Sequence, residues 1–433
     1  MQIIKTLPFS KKNNFELILL SISFLYILYR VTFIKSSLDG ILLFSIYSIL
    51  SILIYYRNLK VNYYKYLGYC VIPPAITLFT EFVLNDTQSQ ALISNLNNHQ
   101  ILFMYNINYT YLLVFIFLPF ILVNLKYKAT YLLNFIAFST ITYICLNSYL
   151  TFFLKLNRDT FLEHFGQIIN YDALTILTTL ITFIYSFYLY ESKNKIGAWF
   201  LFSISLFAIL LNIMHGSRGS WLALPFIFLY TMWKYRKTCK PFIYSILVMG
   251  VIGLLSISIF NISGITDRLQ AAYSDFNIIK NNSQEITSIG SRLTMWQHSI
   301  EDFKASPFSG IGSINVAQQL CDLTKAGKLA GGGNGCLTHM HNIFFQELAS
   351  HGFLGILSLA IFFFYPLFNF LKHSPVNNNT TKLIQVTGVS TIMIVMICGF
   401  TDYFFISEVA TCLYALIILV LMTNLDQMET NDD

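Results

Sequence analysis

Three of the eight histidines, His339, His341 and His351, fall within 17 residues where a polar loop enters an apolar stretch. A neutral imidazole near pH ~7 is suited to accept a proton from a hydroxyl group as a general base. The histidines could instead be polar residues at a membrane surface, hydrogen-bonded to Asn342 or to lipid headgroups. Zinc is the third interpretation, but this spacing, without an adjacent cysteine or aspartate pattern, is not typical of a zinc site.

Two arginines have the chemistry to bind a phosphate. Arg218 follows Ser217 between two apolar stretches, and its planar guanidinium can grip a phosphate with two hydrogen bonds. It could equally contact lipid headgroups from the membrane surface. Arg292 lies four residues before Trp296 and therefore on the same helical face, although a solvated loop arginine is the simpler interpretation. Together the two cations could neutralise one diphosphate leaving group.

Composition identifies the elements that must position these residues. Of the 433 residues, 55% are apolar and 11% are charged, and the apolar ones occur in long runs typical of membrane-spanning helices. The alternation of a membrane β-barrel is absent. No Walker loop, Asp-x-Asp motif or Gly-x-Ser-x-Gly elbow is present, which argues against an ATP-driven pump or a soluble-type esterase. Glu408 alone is weak support for a proton-coupled transporter.

The sequence predicts an all-α polytopic membrane protein, a single membrane domain over 1–433. One alternating set of loops carries 16 lysines and arginines, and the short loops of the other set carry four, or five with Arg30. This asymmetry places both termini in the cytoplasm and the long loop 262–342 outside. It also accounts for the net charge of +6, so we expect no nucleic-acid partner. The predicted spans are twelve: 15–34, 39–56, 66–84, 106–125, 129–153, 171–190, 196–214, 219–233, 241–261, 353–371, 384–401 and 404–423.

The external loop of about 80 residues is too long to lack secondary structure and continues through 343–352 into the tenth span. Apolar residues recur at helical spacing over 290–304, and Pro307 ends that pattern. Cys321 and Cys336 both lie in this loop. They could form a disulfide in an oxidising compartment or remain two free thiols.

Three segments resemble the O-antigen ligase family, whose superfamily includes O-antigen polymerases and protein O-oligosaccharyltransferases. The resemblance covers the architecture of twelve spans with one large external loop before the tenth. Its motifs are Ser-Arg after a mid-chain span, Arg-x-x-x-Trp followed by Pro-x-x-Gly-x-Gly, and His-Asn-x9-Gly-x-x-Gly. In this sequence they are met by Ser217, Arg218, Arg292, Trp296, Pro307, Gly310, Gly312, His341, Asn342, Gly352 and Gly355.

The resemblance implies a GT-C-like glycosyltransferase of the bacterial inner membrane that needs no metal or cofactor. It would transfer polysaccharide from undecaprenyl diphosphate to the outer core sugar of lipid A-core on the periplasmic face, with inversion. His341 would be the base, Arg218 and Arg292 would bind the diphosphate, and Ser217, Trp296, His339, Asn342, Gly352 and Gly355 would support them.

Other activities stay open at this stage. A polymerase would use the same donor but extend another lipid-linked glycan, and an oligosaccharyltransferase would modify a protein hydroxyl. The complete His-Asn-x9-Gly-x-x-Gly pattern favours a ligase over a polymerase. A flippase or transporter is the alternative from a different class, and it would require charged residues lining mid-membrane helices, of which this chain has few.

Overall fold

The computed structural model describes residues 63–85, 115, 118–119, 122, 127–154, 168–215, 218–247, 288–329, 336–372, 378–402 and 408–432. Within these ranges the chain is helical and contains no strand, as the sequence predicts. The helices are α1 (Tyr63–Phe79), α2 (Ala129–Ser148), α3 (Ile168–Glu191), α4 (Lys195–Met214), α5 (Arg218–Trp221), α6 (Ala223–Lys234), α7 (Ser288–Ala305), α8 (Ser313–Lys325), α9 (Ile343–Lys372), α10 (Asn379–Gly399) and α11 (Glu408–Asp432). Helices α1 and α2 each continue into a π-helical turn, Thr80–Leu84 and Tyr149–Phe153.

Seven helices of the described part are long and apolar enough to cross a membrane: Lys65–Leu84, Ala129–Phe153, Tyr171–Glu191, Lys195–Met214, Ile343–Lys372, Asn379–Gly399 and Ala410–Met428. Each corresponds to a predicted span. The predicted spans 15–34 and 39–56, and most of 106–125 and 241–261, lie outside the described residues. The predicted eighth span, 219–233, is divided into the short helices α5 and α6.

The centre of the bundle is formed by α3, α10 and α11. Helix α11 is apolar on all sides, and its residues from Ala410 to Asp426 are buried, which is the pattern of an interior helix. Helix α3 packs against α2, α4 and α10, and α1 packs along α9. The two loop helices, α7 and α8, both rest on α9.

The two ends of the bundle differ in charge. At one end Lys65 pairs with Asp426, and Lys382 Nζ lies 2.8 Å from Glu191 Oε1. Helix α10 begins at this end, and Asp402 follows shortly after its other end. At about 1.5 Å per residue, Asp402 lies about 30 Å from Lys382. We call these the lysine end and the site end. Helices α4, α6 and α9 run between the same two ends, with Lys195, Lys234 and Lys372 at the lysine end.

The described part of the loop contains one helix more than the sequence pattern predicted. Helix α7 covers the predicted segment 290–304, but α8 was not predicted. Its signal is the spacing of Ile314, Ala317 and Leu320, all buried, in a segment whose many polar residues obscure the pattern. A disulfide joins Cys321 to Cys336, with the Cα atoms 4.5 Å apart.

Helix α9 starts at Ile343, ten residues before the predicted span, and is broken at Gly352, where φ is 58°. The segment after α7 docks into this break. The amides of Ile311 and Gly312 donate to the carbonyls of Ala349 and Ser350, at 2.9 and 3.0 Å. Beyond the break the amide of Phe353 donates to the carbonyl of Pro307 at 2.8 Å. The break thereby exposes backbone groups that anchor the loop to the bundle.

The motif glycines allow this close docking. Gly310 has a φ of 67° and a Cβ there would lie 2.5 Å from the carbonyl oxygen of Ala349. A Cβ on Gly352 would lie 2.7 Å from both the amide nitrogen of Gly310 and the carbonyl oxygen of Pro307. On Gly355 it would lie 2.5 Å from the carbonyl oxygen of Glu347. These positions require glycine because two backbones meet and because the left-handed conformation disfavours a side chain.

Candidate active site

His341 and Asp402 form a hydrogen-bonded pair at the site end. His341 Nδ1 lies 2.8 Å from Asp402 Oδ1, although the residues are 61 positions apart. Because an ionised carboxylate only accepts hydrogen bonds, Nδ1 carries the proton and Nε2 is left as the proton acceptor. The side chain of His341 is 20% exposed, whereas that of Asp402 is 10% exposed. The imidazole is therefore partly accessible to solvent, whereas its carboxylate partner is more deeply buried.

The backbone of His341 is in the left-handed region, with φ of 47°. This conformation costs a non-glycine residue about 1 to 3 kcal/mol and is found most often at functional sites. It turns the chain sharply between Met340, which is buried, and the start of α9. The strain is held by the hydrogen bonds on both sides of His341.

Asn342 couples the start of α9 to the end of α10. Its Oδ1 accepts the amides of Phe344 and Phe345 at 2.9 and 3.2 Å, which is an N-terminal cap for α9. Its Nδ2 donates to the carbonyl of Phe400 at 3.1 Å. Since Phe400 is two residues from Asp402, this one amide sets the distance between the histidine and its carboxylate.

His339 completes the group. Its Nε2 lies 3.5 Å from Asp402 Oδ1, and its ring centre is 4.2 Å from that of His341. Burial lowers the pKa of His339, the neighbouring His341 and the guanidinium of Arg292 lower it further, and Asp402 acts in the opposite direction. His339 is therefore neutral near pH ~7, and Arg292 lies within electrostatic range of the histidines.

Asp402 is ionised. Burial by itself would raise its pKa, but hydrogen bonds from His339 and His341 outweigh burial, so that the pKa of Asp402 lies below its ordinary value. The donor atoms of His339, His341 and Asp402 lie within 4.8 Å of one another, close enough to hold a metal ion. Histidine spacing could not reveal this group because its carboxylate comes from a distant part of the chain.

Helix α7 holds the segment around His341 from the loop side. Trp296 Nε1 donates to the carbonyl of Met340 at 3.1 Å, and its ring stacks on Phe345 with centres 5.1 Å apart. Ser299 Oγ donates to the carbonyl of Phe345 at 2.7 Å. These contacts hold the helix that carries Arg292, one turn before Trp296 and within electrostatic range of His339.

The backbone of Arg218 begins α5, next to the same site. Gly219 is packed so closely against Thr401 that an added Cβ would overlap its hydroxyl group, and Thr401 directly precedes Asp402. Ser220 Oγ donates to Asn212 Oδ1 at 2.8 Å, which ties α5 to α4. Ser217 lies outside the described residues. The three motif segments thus converge on Asp402.

Sequence reasoning missed Asp402, which the prediction treated only as a position between two spans. It also missed a second buried pair, His215 and Asp172, whose Nδ1 and Oδ1 atoms lie 2.8 Å apart. His351 does not belong to the His341 group. It is fully buried between Glu347 and Glu81, so it cannot reach a substrate.

Comparisons with known proteins agree with the motifs. Residues 200–360 match a family model described as O-antigen ligase. The chain is 25% identical over 228 residues to an uncharacterised protein of Haemophilus influenzae, covering 52% of this chain and 57% of that protein. It is 30% identical over 183 residues to an O-antigen ligase of Escherichia coli, covering 42% of each.

The chain spans about half the length of the curated relatives it matches. The family model confirms the resemblance to the O-antigen ligase family for residues 200–360. That stretch contains Arg218, Arg292 and His341 and ends before Asp402.

Proposed function

We propose, on the premise of the O-antigen ligase match over residues 200–360, that this chain is a membrane glycosyltransferase of the O-antigen ligase type. It transfers polysaccharide from undecaprenyl diphosphate to the outer core sugar of lipid A-core. The observation that carries the proposal is the partly exposed imidazole of His341, 2.8 Å from the carboxylate of Asp402, with Arg292 in electrostatic range of the neighbouring His339.

His341 is the general base of the proposed reaction. Nε2 accepts the proton of the acceptor hydroxyl while that oxygen attacks the anomeric carbon of the donor. Asp402 holds the proton on Nδ1 and stabilises the imidazolium that forms. Because a single displacement requires one base and no covalent intermediate, the product has inverted configuration. The proton then passes from His341 to solvent or to the departing diphosphate.

The bond between the anomeric carbon and the diphosphate oxygen breaks in the same step, and its electrons go to the diphosphate. Arg218 and Arg292 offset that charge, as guanidinium groups do for phosphates. The donor is already activated by its diphosphate, so no nucleotide is required. His339, which is neutral, adds a hydrogen-bonding group without adding charge that would compete with proton uptake by His341.

The proposed reaction is independent of a metal ion, although His339, His341 and Asp402 could hold one. The support is that Asp402 is engaged by both imidazoles. The test is the transfer rate after exhaustive treatment with EDTA. We expect an unchanged rate. If the rate falls and zinc or magnesium restores it, these three residues bind a metal ion that the reaction requires.

The proposed location is the inner membrane, with both termini cytoplasmic and the site in the periplasm. The lysine end of the bundle supports this orientation, because lysines and arginines concentrate on the cytoplasmic side and the site lies at the opposite end. The disulfide between Cys321 and Cys336 supports it independently, because disulfides persist in the periplasm and are rare in the cytoplasm.

The deciding experiment is a gel of lipopolysaccharide from a strain that lacks the gene. Loss of a ligase leaves bare core while lipid-linked polymer accumulates. Complementation with His341→Ala should leave the core bare, and His298→Ala should restore the ladder, since His298 pairs with Glu301 on the exposed side of α7. A ladder restored by inserted His341→Ala protein would refute the assignment of the base.

The same gel distinguishes the related activities. Loss of a polymerase leaves core that carries a single repeat unit. An unchanged gel with altered protein glycosylation would point to a protein O-oligosaccharyltransferase. Accumulation of the lipid-linked glycan on the cytoplasmic side would point to a flippase.

A further inference from the structure

A second group of charged residues is buried near the site but makes no contact with His341. It consists of Glu81 in the π-helical turn after α1 and of Glu347 and His351 in α9, and we call it the charged cluster. His351 Nδ1 lies 2.7 Å from Glu347 Oε2, and Nε2 lies 2.9 Å from Glu81 Oε1. The side chain of Glu81 is 4% exposed and the other two are fully buried. Charges at this depth are costly to bury.

The charged cluster joins three separate elements. Glu81 Oε1 also accepts the amide of Ser313 at 2.8 Å. Ser313 is the first residue of α8, and Gly312 before it has no side chain to cap that helix. A carboxylate from the membrane bundle therefore takes the place of the N-terminal cap and meets the positive end of the helix dipole. Through His351 the same carboxylate is connected to α9.

The segment of α9 between the charged cluster and His341 is short. It runs from Ile343 to His351 and is separated from the rest of α9 by the break at Gly352. Asn342 fixes its first turn to Phe400, as described above, and the charged cluster fixes its last turn to Glu81. The backbone hydrogen bonds from Ile311 and Gly312 to Ala349 and Ser350 hold the same end of the segment, and the charged cluster is its side-chain attachment there.

We propose that Glu81 is a positioning residue, which acts through His351 and Glu347 to hold His341 in register with Asp402. The proposal rests on the proposed function for its effect on catalysis. When the charge of Glu81 is removed, the segment from Ile343 to His351 and the start of α8 lose the ionic part of their common attachment and keep the backbone hydrogen bonds of Ile311 and Gly312. A displacement of about 1 Å at a catalytic group can reduce turnover by up to about a hundredfold.

The test variant is Glu81→Gln, which keeps an oxygen for the amide of Ser313 and leaves the pair of Glu347 and His351 charge-balanced. The matched control is Glu191→Gln, the same substitution in the ion pair with Lys382 at the lysine end. Two measurements are made on purified protein. The first is the rate of trypsin cleavage after the exposed loop residues Lys304, Lys325 and Lys328, which reports local opening of the loop. The second is kcat and KM for transfer.

We expect Glu81→Gln to accelerate cleavage of the loop and to lower kcat between about tenfold and a hundredfold with KM unchanged. Glu81→Ala, which also loses the cap, should be worse in both measurements, and Glu191→Gln should change neither. The proposal is overturned if kcat of Glu81→Gln equals that of the wild type, if only KM changes, or if Glu191→Gln causes the same loss.

Failure of the proposed function has a different signature. In that case the wild-type protein transfers no glycan, and the cleavage measurement alone tests the charged cluster. Equal cleavage rates for the wild type and Glu81→Gln would then refute its role in holding the loop.

Discussion

Replacing Asp402 with asparagine tests the active site most directly. The substitution keeps the size of the side chain and removes its charge. In the proposed reaction His341 becomes an imidazolium in the transition state, next to this carboxylate, with Nδ1 2.8 Å from Oδ1. Two opposite unit charges about 4 Å apart attract each other by about 4 kcal/mol at an effective dielectric constant of about 20. Both side chains are largely buried, so solvent screens little of this attraction.

The charge develops only partly in the transition state, so we expect a loss of about 2 to 4 kcal/mol. That corresponds to a fall in kcat of about 30- to 1000-fold. An asparagine can also turn its NH2 group toward Nδ1. The imidazole would then carry its proton on Nε2 and could not act as a base, which adds to the loss.

The assay measures initial rates of transfer from lipid-linked glycan to lipid A-core by purified protein in lipid nanodiscs. Asp302→Asn is the matched control, because Asp302 is a buried aspartate of α7 that contacts Gln319 at 3.0 Å and no residue of the site. It should keep wild-type kcat. Asp402→Asn should add little to the defect of His341→Ala, since the two residues act as a unit.

Two results would contradict this reasoning. One is an Asp402→Asn protein whose kcat is within threefold of the wild type. The other is a full additional loss when Asp402→Asn is placed in the His341→Ala background, because that would mean that the carboxylate acts independently of the histidine.

Three further predictions concern Arg218, His339 and the break in α9 at Gly352. Arg218→Lys should lower transfer at least tenfold because an ammonium cannot form the two parallel hydrogen bonds of a guanidinium; full activity in the assay above would indicate a lipid-headgroup contact instead. The pKa of His339 is lowered on folding. Below the ordinary histidine pKa of about 6.5 the unfolded chain therefore binds more protons than the folded chain. The free energy of unfolding should have its full value above that pH and decline below it. Melting temperatures between pH 5 and pH 8 measure this, and His339→Gln should flatten the decline; Asp402, whose pKa is also lowered, contributes only near and below pH ~4. Gly352→Ala should destabilise the protein by about 2 to 4 kcal/mol in chemical denaturation, from backbone strain and from overlap with the docked loop. Gly327→Ala is its control, because Gly327 has a similar φ of 68° with nothing within 4 Å; an equal loss in both variants would leave no role for the docking.

The sequence alone determined the features that depend on near neighbours in the chain. Apolar runs predicted each of the seven helices in the described ranges that are long enough to span a membrane, because burial in lipid requires the whole run to be apolar. Helical spacing predicted α7, since residues three and four apart share a helical face. The motif around His341 predicted the resemblance to the O-antigen ligase family that the match over residues 200–360 confirms.

Tertiary structure alone decided which distant groups meet. Asp402 reaches His341 across 61 residues, and Glu81 reaches His351 across 270 residues. Neither contact produces a periodic pattern in the sequence, because each depends on how α1, α9 and α10 pack together and on where those helices end. The same packing separated His351, which spacing had grouped with His341, and buried it between two carboxylates. Spacing singled out the histidines, and the helix packing decided which of them meet Asp402.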